Sequence, residues 1–372
     1  MTAQPGTPVR PQAAAPPARL EWVDAVRGYS VAAVVLAHVV LWHLLDPGLT
    51  VAAGAESVWA RVYGVMGSVR MPVLLAVSGL VVARRVRAGF GAGGLTPRVA
   101  RSYYLYVVWL LVYAVFYALV REPDLPHRVD GPLDVLRQLV VPDTTLWYVF
   151  ALAVYVAVLG ALHRVPPWLV LGALVALCLV THVLTSPDQV WSKVPELFVF
   201  FAIGVYGDAP LRRLAQRASW PFVALAALAA AAVTACGRFV SGELALASLF
   251  LVRCVAFLVL AVLVVVVAVR WRPLSRLGLA LGRQTLPIYV LHPLWIAVLL
   301  VGAGLPGAPG HAALGTLLAV PALALLYPLV LTAGVIALCL LVHAGVRRVV
   351  GEVPLFAMPP AWSARLGGRP PG

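Results

Sequence analysis

Apolar runs long enough to cross a bilayer recur along the whole chain, separated by short polar loops. They predict ten membrane spans, near residues 25–45, 64–83, 101–120, 145–162, 167–185, 196–207, 221–236, 249–270, 284–303 and 314–342. The sixth and seventh are short and the tenth is long. The pattern therefore predicts an all-α integral membrane protein, a bundle of about ten transmembrane helices. Its expected organisation is a disordered, Pro- and Ala-rich cytoplasmic tail over 1–19, a transmembrane domain over 20–350 and a cytoplasmic C-terminal tail over 351–372. The first segment shows no apolar core of a signal peptide. No loop exceeds about 25 residues, which leaves no separate soluble domain.

Composition agrees with this pattern. The 372 residues are 62% hydrophobic and 11% charged, against roughly 25% charged in a soluble domain. Mean hydropathy is +0.95. The net charge of +14 sits in short loops between apolar runs, so it sets orientation and does not point to nucleic acid. Arg84, Arg85, Arg87 and Arg98 share one loop region, Arg212, Arg213 and Arg217 another, and Arg270, Arg272, Arg276 and Arg283 a third. The loop at 121–144 instead carries Glu122, Asp124, Asp130, Asp134 and Asp143, and 304–313 has no Lys, Arg or acid. Loop charge predicts a multi-pass protein with both termini cytoplasmic. Cys178, Cys236, Cys254 and Cys339 fall singly in or beside apolar segments and read as small core residues.

Candidate chemistry begins in the first span, where Asp24, Arg27 and His38 interrupt an apolar run. Ionisable groups at membrane depth are costly and rarely face lipid. Eleven helical steps of about 100° bring His38 back to the face of Arg27, ~16 Å further along the axis. Asp24 lies one turn before Arg27. The three form one polar stripe, although Asp24 and Arg27 also fit a plain interfacial anchor and His38 a structural hydrogen bond. In the second span Arg70 falls at the expected depth of His38, and Ser78-Gly79 falls nearer the inner mouth. Arg70 fits acceptor binding, oxyanion stabilisation or snorkelling outward. Ser78 fits substrate contact, or close packing with its hydroxyl bonded to its own helix. Arg253 and Glu196 open the eighth and sixth spans near the outer side. His292, between Pro287 and Pro293, reads as a substrate ligand or as a packed, hydrogen-bonded histidine.

The order of these residues resembles the ten-helix membrane acyltransferases of acyltransferase family 3, which acylate sugars and related hydroxyl-bearing acceptors. Asp24, Arg27-Gly28 and His38 look like the family's opening helix. Met71-Pro72 through Ser78-Gly79 resembles its second signature, with Leu80 where an aromatic is common. Arg98 and Arg101, L-W-Y at 146–148, F-F-A-I-G at 200–204 and L-P-I-Y-V-L-H at 286–292 resemble later landmarks. The resemblance implies an O-acyltransferase in a bacterial cytoplasmic membrane, moving an acyl group, expected to be acetyl, from cytoplasmic acyl-CoA. The acceptor would be a hydroxyl of a sugar, glycolipid, envelope polysaccharide or secondary metabolite.

Such a transfer needs a base for the hydroxyl proton and a cation for the charge on the carbonyl oxygen. His38 is the candidate base, with Arg27 and Asp24 beside it in the catalytic stripe. Arg70, Ser78, Arg253 and His292 are the candidate substrate contacts. Arg84, Arg85, Arg98 and Arg101 are candidates for the phosphates of acyl-CoA, a co-substrate. No bound cofactor and no metal are expected, and the partners expected are the lipid bilayer, acyl-CoA and the acceptor. A transporter of a polar or anionic solute, with Arg70 and Arg253 as its binding charges, is the alternative. A non-catalytic membrane scaffold is the third reading.

Overall fold

The computed structural model describes residues 21–45, 48–92, 94–186 and 189–367. The expected 1–19 tail and the last five residues of the expected C-terminal tail lie outside that set. Every regular element among the described residues is helical. In chain order they are α1 (Glu21–Val40, continued as a π-turn over Leu41–Leu45), α2 (Ala53–Gly67), α3 (Arg70–Ala92), α4 (Leu95–Val120), α5 (Pro132–Gln138), α6 (Trp147–Ala161), α7 (Pro167–Leu184) and α8 (Lys193–Tyr206). There follow α9 (Asp208–Gln216), α10 (Trp220–Cys236), α11 (Glu243–Ala268), α12 (Arg272–Arg283), α13 (Thr285–Leu299, ending in a π-turn over Leu300–Gly304), α14 (His311–Leu318), α15 (Pro321–Val349) and α16 (Pro360–Arg365).

This is an all-α membrane bundle. Seven helical lengths are long and apolar enough to cross a bilayer, and Val190–Tyr206 with Asp208–Gln216, bent by 71°, gives an eighth. The shorter apolar helices α6 and α10 occupy the expected fourth and seventh spans. Each expected span thus falls on an apolar helix, but two of them are broken. The second is interrupted at Ser68 and Val69, between α2 and α3, so that Arg70 begins a new helix. Non-helical backbone at membrane depth is tolerated where it is buried in protein, and here Ser68 is fully buried with the Ser68 and Val69 N–H groups donating to the Val65 and Met66 carbonyls. The tenth breaks before Pro321, whose ring cannot continue the helical hydrogen bonding of α14.

Two amphipathic helices were not foreseen, α9 and α12. Both are arginine-bearing and lie at one end of the bundle. At that end Arg87 pairs with Asp208 at 2.8 Å, and Arg270 donates to the Ala218 carbonyl at 2.5 Å. The C-terminal stretch from 351, expected as a tail, in part packs back there. The indole of Trp109 donates to the Leu355 carbonyl at 2.7 Å, and Phe356 is buried against Trp109 and His343.

Two glycine contacts set the frame around the site. A Cβ on Gly28 would strike the backbone of Gly278 and Gly282, and one on Gly282 would strike the Asp24 carbonyl. A Cβ on Gly79 would meet the Phe201 carbonyl, and one on Gly204 the Ala76 carbonyl. Helices in lipid associate by close packing, and small residues let backbones touch. The glycines of R-G, S-G and F-F-A-I-G are therefore the points where α1 meets α12 and α3 meets α8.

Candidate functional site

α1 and α13 bring two histidines together from 254 residues apart. His38 Nδ1 lies 2.8 Å from His292 Nε2. His292 Nδ1 lies 3.0 Å from the carbonyl of Ile288, one turn back on its own helix. A carbonyl only accepts, so His292 Nδ1 carries the hydrogen. In a neutral ring its Nε2 is then the acceptor, and His38 Nδ1 must donate to it. This chain leaves Nε2 of His38 with a free lone pair. The His38 ring lies flat on Trp42, with centroids 4.3 Å apart and planes 3° apart, and Trp42 in turn meets His127 at 5.4 Å.

α13 is itself held in register from two sides. Tyr113 on α4 donates to the Val290 carbonyl at 3.0 Å. The Tyr289 hydroxyl donates to the carbonyl of Thr145, in the turn before α6. Pro287 sits in the first turn of the helix, where its missing N–H costs nothing, while Pro293 lies inside the helix. His292 is fully buried. It is therefore a partner of His38 and not part of the cavity wall where a substrate contact was expected.

His38 is half-buried, and the side of it not taken by His292 opens into a cavity of about 670 Å³. Arg70, Met71, His127, Lys193, Glu196 and Arg253 are among its walls. Glu196 accepts from His182 Nδ1 at 2.7 Å and from Lys193 Nζ at 3.2 Å. Arg70 lies over the Tyr63 ring at 5.3 Å. Nη1 of Arg70 and Nε of Arg253 are buried without a hydrogen-bond partner. His127, on the loop over the cavity, is pushed below the ordinary imidazole value by burial, with Asp143 pulling the other way. It is neutral at physiological pH.

At the arginine-rich end, Arg98 lies within electrostatic reach of Arg27, Arg85 and Arg101. Arg84 and Arg85 are both exposed on α3. Arg27 faces Asp24 at 3.9 Å, and its Nε is buried without a hydrogen-bond partner. Asp24 is buried where α12 closes on α1. Ser78 donates to the Leu74 carbonyl at 2.7 Å and meets the Tyr148 hydroxyl at 2.8 Å. Its close-packing reading is thus realised, with a cross-helix bond added. Tyr148 feels the charges of Arg27 and Arg98, touches Tyr289 at 5.2 Å, and Tyr289 touches His292 at 6.0 Å. A line of polar aromatics so connects the arginine cluster to the histidine pair.

The sequence singled out neither Trp42, the His182–Glu196–Lys193 group nor Tyr148 as site residues. Tyr148 carried a signal, in L-W-Y at 146–148, and Glu196 carried one as an acid opening the sixth span. Among the described residues no group of three or more His, Cys, Asp or Glu has the arrangement of a metal site.

Comparison with known proteins gives one assignment. No curated protein and no solved structure matches the chain. The family described as "Acyltransferase domain" matches residues 20–344. That span contains both histidines, the arginine cluster and the whole cavity. The chain belongs to this family, acyltransferase family 3, and is a membrane acyltransferase.

Proposed function

We propose that the protein is an O-acyltransferase in which acyl-CoA docks at the arginine-rich end, on the cytoplasmic side, and a hydroxyl-bearing acceptor enters the cavity at the other. The acyl group is expected to be acetyl, and the acceptor a sugar, a glycolipid, an envelope polysaccharide or a secondary metabolite. The observation that carries this reading is the chain Ile288 carbonyl–His292–His38. It turns the lone pair of His38 Nε2 outward from the pair as a base.

In the reaction, Nε2 of His38 removes the acceptor's hydroxyl proton as its oxygen attacks the thioester carbonyl. Arg70 offers guanidinium hydrogens to the oxyanion that forms. The C–S bond then breaks, and the departing thiolate takes the proton back from His38. Donor and acceptor meet at the histidine pair, so transfer needs neither a covalent enzyme intermediate nor passage of free acyl-CoA across the bilayer. Arg27, Arg85, Arg98 and Arg101 supply guanidinium forks for the phosphates of the donor. Asp24 orients Arg27.

The test is transfer by purified protein in nanodiscs, given radiolabelled acetyl-CoA and an envelope extract of the native host. Labelled ester product that disappears in folded His38→Gln is the expected result. Acetyl-CoA left intact, together with solute counterflow in liposomes, overturns this reading in favour of transport.

A further inference from the structure

The cavity that receives the acceptor has an excess of positive charge. Its described walls carry Arg70, Lys193 and Arg253 against Glu196 alone. Lys193 and His182 are both bonded to that glutamate, and His127 is neutral through burial. Glu196 thus offsets Lys193, and the two arginines remain. Neither makes an ion pair among the described residues, and each has a buried guanidinium nitrogen without a hydrogen-bond partner. Arginine does not escape this cost by losing its proton. An uncompensated charge at membrane depth marks a ligand path.

On the transferase reading Arg70 serves the reacting carbonyl, and it lines the same cavity as His38. Arg253, from α11, has no such task. Sugar hydroxyls would satisfy its hydrogen bonds but leave its charge unmatched. A carboxylate or phosphate satisfies both, by paired hydrogen bonds to the guanidinium fork. The cavity, at about 670 Å³, has the volume of a site for a ligand larger than one small anion.

We propose that the acceptor carries an oxyanion in addition to its reacting hydroxyl, and that Arg253 binds that oxyanion within the cavity. This rests on the transferase reading above. It assigns the substrate a class, an anionic glycan or glycolipid, and assigns Arg253 the part of specificity determinant.

The test separates the native host's envelope extract on an anion-exchange column into neutral and anionic pools. Each pool is given to the protein in nanodiscs with radiolabelled acetyl-CoA. Label is expected in the anionic pool. Arg253→Gln should raise the apparent KM for that pool about tenfold or more, the cost of removing a hydrogen bond to a charged group. Its affinity for acetyl-CoA should not change, and Arg253→Lys should recover part of the loss. Methyl esterification of the anionic pool abolishes labelling if the anion is a carboxylate and spares it if it is a phosphate. Label in the neutral pool alone overturns the proposal, as does Arg253→Gln with an unchanged KM. If Arg253→Gln does not fold, the partition of label between pools decides alone. Label in neither pool, with acetyl-CoA intact, overturns the transferase reading itself.

Discussion

At the scale of single residues, the site depends on where hydrogens sit. His38→Gln keeps side-chain length and some hydrogen bonding but cannot take a proton, so transfer should fall roughly 10²–10⁴-fold. Acyl-CoA binding and detergent stability should change little. A folded His38→Gln protein that transfers at the parent rate would remove His38 from the mechanism. His292→Phe tests positioning, because a phenyl ring of similar bulk cannot accept from His38 Nδ1. The expected loss is roughly 10²-fold in kcat, with the KM for both substrates preserved. A KM change with kcat intact would show that His292 contacts substrate instead. Arg27→Lys keeps charge but loses the planar fork. Normal membrane insertion with activity largely lost is expected, and full activity would reduce Arg27 to an anchor. His38 and Arg27 were legible in the sequence because both are ionisable groups on one helix face within an apolar run. The bond between His38 and His292 was not, since a 3.6-residue period describes one helix and says nothing about which distant helix it meets.

At the scale of elements, glycines decide how closely the helices that carry the site approach. Gly204→Val would drive a side chain into the Ala76 carbonyl on α3, two residues before Ser78. Overpacking of this kind costs about 1–3 kcal/mol. The expected outcome is a lowered melting midpoint by size-exclusion chromatography in detergent, with activity lost in proportion. Gly64→Ala, where nothing lies within 4 Å of the added Cβ, should melt like the parent. Equal midpoints for the two variants would disprove the backbone contact between α3 and α8. The break at Ser68 and Val69 belongs to the same scale. The apolar run at 64–83 shows no signal for it, because the interruption is made of residues that a continuous helix also accepts. Its effect is to place Arg70 at the start of α3, on the cavity wall.

For the whole molecule, the arginine-rich end should face the cytoplasm and the cavity end the opposite side. Replacing the exposed Cys236 by Ser leaves only buried cysteines as background. In that protein Pro123→Cys and Pro309→Cys should react with an impermeant thiol reagent in whole cells. Ala88→Cys and Gln216→Cys should react only after lysis. The reverse pattern would invert the bundle and with it the side from which the donor enters.

Hydropathy, loop charge and residue order in the sequence by themselves determined the membrane setting, the approximate spans and the polar stripe of α1. These are local properties, written in twenty-residue windows and helical periods. The order of landmarks also pointed to the family that matches 20–344. Tertiary structure alone decided that His38 and His292 meet at hydrogen-bond distance, that Ser78 bonds Tyr148, that Arg27 and Arg98 come within electrostatic reach of each other, and that Arg70 and Arg253 face one cavity. Each of these joins residues far apart in the chain. Which helix faces meet is set by close packing at small residues such as Gly28 and Gly204, and only in the assembled bundle do buried polar groups find, or fail to find, their partners.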